Sequence, residues 1–304
     1  MDIVFATNNE FCPYAAIAIT SLLEHNKGEI RIHLFTIDVD ESNLQRISQL
    51  VSSHIDAKLL IYPVNASLLL DGFPNPGVYS WATYLRLLSA SLLPSLDKVL
   101  YLDADLIVMG ALQELWDMDI SGYSCAAVYD SIFSYSITKD YIGYDYYKEG
   151  YANAGVLLLN LAYWRKHQVQ ERLLGYFSNH SVRLFDQDVI NIVLHGTIRF
   201  VHPKWNCHTG YFAFPPLVRS DQKKYIKTLW RNARIVHFTG PAKPWYRECV
   251  NPYKKDFRKY AQLVPWNGIC DLKLQSNRRK SLLIIALRHC KNVVAMFFSI
   301  FYGD

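Results

Sequence analysis

Two carboxylates one residue apart, Asp103 and Asp105, close the apolar run Lys98-Val-Leu-Tyr-Leu-Asp-Ala-Asp105. Placing two acids at the tip of a buried strand is costly unless something positive binds there. In an extended segment alternate residues share a face, so both carboxylates can turn toward one ion. Hard oxygen ligands in an incomplete set suit Mg2+ or Mn2+, ions that also hold phosphate oxygens. Taken alone, an Asp-x-Asp is more often a turn bearing two solvated acids, so the rest of the chain must decide.

His237 offers a third ligand. It ends the strand-like stretch Arg234–Phe238 and opens His237-Phe-Thr-Gly-Pro-Ala-Lys-Pro-Trp245. Neutral imidazole fits Mn2+ better than Mg2+. A lone histidine at a strand end is ordinarily a satisfied core residue, but these neighbours change the reading. Gly240 allows close backbone approach, and Lys243 supplies a point charge suited to a phosphate. Metal, glycine turn and lysine together describe a pyrophosphate clamp.

The elements that must position these groups alternate in type. Ile3–Ala6, Ile32–Ile37, Lys58–Pro63, Val99–Leu102, Ser124–Val128, Val156–Leu159 and Arg234–Phe238 read as strands. Tyr14–His25, Glu41–Ser53, Trp81–Leu93, Asp186–His195 and Asn251–Leu263 carry helical apolar spacing. This pattern predicts an α/β fold with a mainly parallel sheet covered by helices on both faces. Ligands in such folds bind at the carboxyl ends of strands, where the Asp pair falls. Asp71–Gly77, punctuated by Gly and Pro, reads as a mobile surface loop, and Asn206–Pro216 as an aromatic-rich one.

Of 304 residues, 51% are hydrophobic and 19% charged, enough for a sizeable core and against global disorder. Six cysteines without a C-x-x-C pair argue against a zinc site and suit a reducing compartment. The N-terminus enters a strand pattern at once, so no secretory signal is expected and the reading is cytoplasmic. The net charge of +5 lies mostly in residues 271–304, where six Lys/Arg face two acids. A nucleic-acid partner would call for basic charge across the folded body, so none is expected. Two apolar runs in this tail, Leu282–Leu287 and Val293–Phe301, fall well short of the roughly 20 residues that span a bilayer. Basic and apolar residues together read as an in-plane anchor on the inner face of the cytoplasmic membrane. A helix docked on the body or on a partner is the alternative. The expected division is a globular domain over 1–265 and a basic amphipathic tail over 266–304.

Asp103-Ala-Asp105, Asn153-Ala-Gly155, Asp186-Gln-Asp188 and the His237–Trp245 run occur in the order seen in glycosyltransferase family 8. With the opening Met1–Ala6, the Ala82-Thr-Tyr-Leu-Arg86-Leu helix and the basic aromatic tail, the chain resembles bacterial lipooligosaccharide α-galactosyltransferases, relatives of glycogenin. The resemblance covers essentially the whole chain. It implies a GT-A nucleotide-sugar-binding fold and a retaining, UDP-sugar-dependent hexosyltransferase. Asp103, Asp105 and His237 would coordinate Mn2+ (Mg2+ being possible), and Lys243 with the Gly240 backbone would hold the β-phosphate. Ala6 and Asn8 would meet the uracil, with Phe11 stacking, and Ala104 the ribose. Arg86, Asp130, Asn153, Ala154, Asp186 and Gln187 would line the donor sugar, Gln187 and Asp186 being the catalytic candidates. Simpler roles stand beside these: Arg86 as a structural ion-pair partner, Asn153 as a turn or cap residue, and Asp186 as a helix N-cap.

The resemblance further implies retention of the α configuration. Gln187 is a poor nucleophile, so same-face attack through an oxocarbenium-like ion pair is favoured, with UDP leaving. The acceptor would be a lipid-linked oligosaccharide of lipopolysaccharide, reached from the membrane surface. Galactose is the favoured donor sugar, and glucose the alternative. Loops 73–80 and 207–216 could close as lids, and Phe133, Tyr211, Phe212 and Trp245 could stack on sugar faces or belong to the core. One departure stands out: where the family carries an acid after the first strand, this chain has Asn8. Its carbonyl can accept from uracil N3–H, and its amide can equally donate to cytosine N3.

A nicotinamide enzyme is excluded, because the Ala6–Pro13 junction has no glycine to build a G-x-G-x-x-G cradle. A non-catalytic nucleotide-sugar-binding protein and a metal-dependent nucleotide-sugar hydrolase are the remaining rivals: the first would release no UDP with Mn2+ and acceptor present, and the second would release free sugar without any acceptor.

Overall fold

A computed structural model of the chain describes residues 1–65, 73–76, 80–130, 139–213, 218–241 and 243–269. The tail from 270 onward, Phe133, and Asp71, Gly72 and Gly77 of the Asp71–Gly77 loop lie outside the described residues.

The large sheet has seven strands: β1 Asp2–Asn8, β2 Ile30–Ile37, β3 Ala57–Pro63, β4 Lys98–Leu102, β6 Cys125–Tyr129, β7 Ala152–Asn160 and β8 Ile198–Phe200. Their spatial order is β3-β2-β1-β4-β7-β6-β8. Pairs β1–β2, β2–β3, β1–β4 and β6–β8 are parallel. β7 runs antiparallel to both its neighbours, β4 and β6. The sheet is therefore mainly parallel, as the alternating pattern predicts, but mixed at β7.

Side chains alternate across this sheet as the two-residue period requires. Ile3, Phe5, Leu100, Leu102, Val156 and Leu158 face one buried cluster. Val4, Ala6, Val99, Tyr101, Leu157 and Leu159 face the other. Covering the first face are α1 (Cys12–His25) and α2 (Glu41–Ser52). Pro13 opens α1, where its missing N–H costs nothing, and Asp40 caps α2 by accepting from the Asn43 N–H at 2.7 Å. Packed on the second face are α3 (Val169–Asn179) and α4 (Phe185–Val193). The expected strand Val156–Leu159 is longer in fact and begins at Ala152, so Asn153, Ala154 and Gly155 are strand residues, and Asn153 is neither turn nor cap.

The expected helix Trp81–Leu93 is instead a 3-10 helix over Trp81–Leu88 followed by one α turn, Ser89–Leu92. Three residues per turn bring residues i and i+3 into line, so Thr83 and Arg86 stand over one another. Both side chains reach Asp186.

A second sheet of three short strands, β5 Leu106–Val108, β9 Cys207–His208 and β10 Ile235–His237, is ordered β5-β10-β9. Its β9 falls in the stretch 206–216 that the sequence presents as loop, as does the single helical turn Gly210–Ala213. The body closes with α5 (Lys254–Ala261) and with Trp266, whose Nε1–H donates to Asn43 Oδ1 at 3.0 Å. No helix among the described residues is long and apolar enough to cross a membrane.

Candidate metal and nucleotide-sugar site

The chain ends of several strands converge at one edge of the large sheet. β1, β4 and β6 deliver Asn8, Asp103 and Asp130 from their carboxyl ends. Because β7 is antiparallel, its first residues arrive at the same edge, and the Asp103 N–H donates to the Gly155 carbonyl at 2.9 Å. Asp103-Ala104-Asp105 is the turn that passes from β4 into β5, and hence from one sheet to the other. The two carboxylates meet through this turn rather than by strand alternation. β10 pairs with β5 so that His237 lies opposite Leu106, next to Asp105.

Ligating atoms of Asp103, Asp105 and His237 all lie within 4.8 Å of one another. Each carboxylate has one oxygen held and one presented. Asp103 Oδ1 accepts from the Tyr101 hydroxyl at 2.8 Å and pairs with Arg86 at 2.9 Å, while its Oδ2 lies 3.5 Å from His237 Nε2. Asp105 Oδ2 is held by the Lys243 ammonium, while its Oδ1 lies 3.1 Å from His237 Nε2. Burial alone would raise the Asp105 pKa, but Lys243 and His237 outweigh it and hold the carboxyl well below the ordinary range. Two ionised oxygens and one imidazole nitrogen facing a common point make a donor set that fits Mn2+ or Mg2+.

Gly155 makes the cluster possible. A Cβ there would lie 2.6 Å from His237 Nδ1 and 2.7 Å from Asp103 Oδ2, and closer still to the imidazole edge. Gly240 has the opposite reason for being glycine: nothing crowds its Cβ position, but its φ is +82°.

Beneath the cluster lies Arg86, only 5% exposed. Its Nε pairs with Asp186 Oδ2 at 2.9 Å and donates to the Thr83 carbonyl at 3.0 Å, and its remaining nitrogens reach Asp103 and the Ala154 carbonyl. Thr83 Oγ1 completes the grip by donating to Asp186 Oδ1 at 2.8 Å. Arg86 is thus the ion-pair partner of two carboxylates at once. Burial pushes the Asp186 carboxyl above its ordinary range, against the pull of Arg86. Asp186 does not cap α4; Leu184 occupies that position, and Phe185 takes a left-handed φ of 48° just before Asp186. Such a φ is costly for a bulky side chain, and strain of this kind gathers at functional sites.

The other sequence-derived residues form a network on the far side. Gln187 Nε2 donates to Asp130 Oδ2 at 3.1 Å, and its Oε1 accepts from the Ala154 N–H at 3.1 Å. Asn153 Nδ2 donates to the same Asp130 oxygen at 3.3 Å, and His208 Nε2 lies 4.0 Å from Asp130 Oδ1. Burial lowers the His208 pKa despite Asp130. Ala6 and Asn8 end β1, one strand from Asp103, and Ala104 is buried in the turn. Asn8 Oδ1 accepts from the Phe11 N–H at 3.1 Å, so the oxygen is already engaged within the chain. Phe11 is half-buried, edge-on to Tyr14 and Trp245.

Three aromatics offered as sugar platforms belong to the core. Trp245 stacks on Tyr14 with centroids 3.6 Å apart, Phe212 packs against Trp230 and Tyr253, and Tyr211 is fully buried. Their faces are already covered by protein. Thr83, Tyr101, Gly155 and Asn206 touch the site without having been singled out by residue type.

Against known proteins, the profile of "Glycosyl transferase family 8" matches residues 2–249. The lipopolysaccharide 1,2-glucosyltransferase of Escherichia coli K12 is 27% identical over 88% of this chain and 79% of its own. The lipopolysaccharide 1,3-galactosyltransferase of Salmonella typhimurium LT2 is also 27% identical, over 88% and 79%. Among solved structures, that of the galactosyltransferase LgtC with donor and acceptor sugar analogs is 29% identical, with a TM-score of 0.74 over 88% of this chain and 97% of the other.

Proposed function

The chain belongs to glycosyltransferase family 8 and has the GT-A fold, and from that premise we propose that it moves a hexose, galactose favoured, from a UDP-sugar to a saccharide acceptor of lipopolysaccharide or lipooligosaccharide, with Mn2+ and with retention. The observation that carries this reading is the Asp103, Asp105 and His237 cluster, with one oxygen of each carboxylate presented and Lys243 alongside. A divalent cation bound there would neutralise charge gathering on the departing diphosphate.

The chain's own groups have separable tasks in this reaction. Lys243 and the Gly240 backbone bind the β-phosphate, Lys243 exchanging Asp105 for it. Arg86 and Tyr101 hold Asp103 in place, so the ligand set needs little reorganisation. The glycosidic C–O bond to the β-phosphate breaks with its electron pair on oxygen. The acceptor hydroxyl then bonds to the anomeric carbon on the same face and passes its proton to the leaving phosphate. Gln187, tied at both ends of its amide to Ala154 and Asp130, is a fixed dipole suited to stabilising positive charge at the sugar. Asp130, Asn153, Ala154 and Asp186 orient the donor sugar around it. The acceptor is lipid-linked, and the basic tail that follows the body brings the enzyme to the cytoplasmic membrane surface.

Glucosyltransferases among the relatives favour UDP-glucose as the second reading. Asn8 Oδ1 is engaged by the Phe11 N–H and an amide NH2 can donate to cytosine N3, so a CDP-sugar joins the candidates. The deciding experiment is a donor panel of UDP-galactose, UDP-glucose, their N-acetyl forms and a CDP-sugar, assayed for nucleotide release with and without a saccharide acceptor and Mn2+. Expected is acceptor-dependent release from UDP-galactose that EDTA abolishes. Free hexose without acceptor would make the protein a hydrolase, and no release from any donor would make it a binding protein. In the same assay Gln187→Ala should lose more than about tenfold, roughly 1.4 kcal/mol of barrier; a smaller loss removes Gln187 from the mechanism.

A further inference from the structure

His237 presents Nε2, not Nδ1, to the carboxylate pair. To ligate a cation through Nε2 the ring must be neutral with its proton on Nδ1, and something must enforce that choice. Among the described residues, the side-chain partner of Nδ1 is Asn206 Oδ1 at 3.1 Å. Asn206 is fully buried on the turn leading into β9.

The orientation of its amide follows from an unambiguous donor elsewhere. The Gly155 backbone N–H can only donate, and at 3.1 Å it fixes the facing Asn153 atom as Oδ1. The Asn153 NH2 then meets the carboxylate of Asp130, which suits it. The same Asn153 Oδ1 lies 2.8 Å from Asn206 and so demands the Asn206 NH2. Asn206 is left with only its carbonyl oxygen to offer His237, and a carbonyl can only accept. We infer that Asn206 is a positioning residue that fixes the proton of His237 on Nδ1 and so keeps Nε2 bare for the metal.

This inference rests on the metal-site reading, and the test separates the two. Mn2+ affinity is measured by the free-ion EPR signal for the full-length wild type, Asn206→Ala, Asn206→Asp, His237→Ala and the double variant Asn206→Ala/His237→Ala. Loss of an outer partner of a metal-bound histidine typically weakens metal binding about 10- to 100-fold, and Asn206→Ala should do the same. Asn206→Asp loses the donor to Asn153 Oδ1 but keeps an acceptor at Nδ1, and should stay closer to the wild type than Asn206→Ala. In the His237→Ala background the Asn206→Ala change should add nothing. Equal Mn2+ affinity of wild type and Asn206→Ala overturns the inference, as does an undiminished effect without His237. Should Asn206→Ala not fold, nitrogen NMR of the Mg2+-loaded wild type decides: a proton on His237 Nδ1 supports the assignment, and a proton on Nε2 overturns it. If the wild type binds no Mn2+, the metal reading falls and this inference with it.

Discussion

At Gly155 the backbone of β7 passes so close to His237 and Asp103 that no side chain fits between them. The residue has no chemistry of its own, yet it sets the distance between ligands. Gly155→Ala is therefore expected to push His237 away from the carboxylates and lower Mn2+ affinity and nucleotide release more than tenfold, about 1.4 kcal/mol or more, while the thermal melt shows a folded protein. Retained Mn2+ affinity in that variant would show that the cluster is not the metal site. Asp103, Asp105 and His237 were legible in the sequence because ligating side chains at strand ends advertise themselves, and Lys243 because it follows His237 across a glycine turn. The roles of Gly155, named only within the Asn153–Gly155 motif, and of Asn206 were not. Their roles depend on contacts between remote segments, with Asn206 meeting Asn153 across 53 residues and His237 across 31. Residue type alone carries no trace of that.

Among the elements, strands and long helices were legible from periodicity, and the exceptions have physical causes. The 3-10 winding of Trp81–Leu88 keeps the helical apolar spacing and differs only in bringing Thr83 and Arg86 into line on Asp186. The α3 helix, absent from the expected elements, buries Val169, Leu173 and Phe177 with Leu174 and Tyr176 packed beside them, an ordinary helical stripe. β1 and β2 are joined at their starts by a staple outside the site. Asp2 accepts from Arg31 at two oxygens, each at 2.7 Å, and pairs with His33 Nε2 at 2.9 Å. Burial would raise the Asp2 pKa, but the hydrogen bonds from His33 and Arg31 outweigh it and bring the value down to about 2. The folded value lies below the unfolded one of about 3.9, so the staple contributes fully above that pH and is lost as pH falls toward 2. Asp2→Asn should lower stability at neutral pH, and its deficit against the wild type should shrink between about pH 4 and pH 2 in urea unfolding curves. A deficit independent of pH would rule out the ionic staple.

For the whole molecule, alternation of strands and helices conveyed the α/β class and the placement of the site at the carboxyl edge of the sheet. The direction of β7 was not conveyed, because apolar runs have no polarity. Nor was the small sheet: Arg234–Phe238 reads as the strand that holds β10, but β5 and β9, of three and two residues, are shorter than any period they could display. The globular body and the basic tail make a testable division of labour. Removing residues 270–304 is expected to leave the melt and the UDP-galactose turnover of a soluble acceptor unchanged and to abolish co-sedimentation with anionic vesicles. Undiminished vesicle binding by the truncated protein would end the anchor reading.

The polarity of β1 has a practical side. The Met1 ammonium is tied to the Glu29 carbonyl at 2.6 Å, and the strand then runs seven residues to Asn8 at the site-bearing edge. Start and finish of that strand stand about 20 Å apart. A tether attached at Met1 would grip the edge opposite the cluster, leaving the molecule immobilised with its chemistry facing the solution.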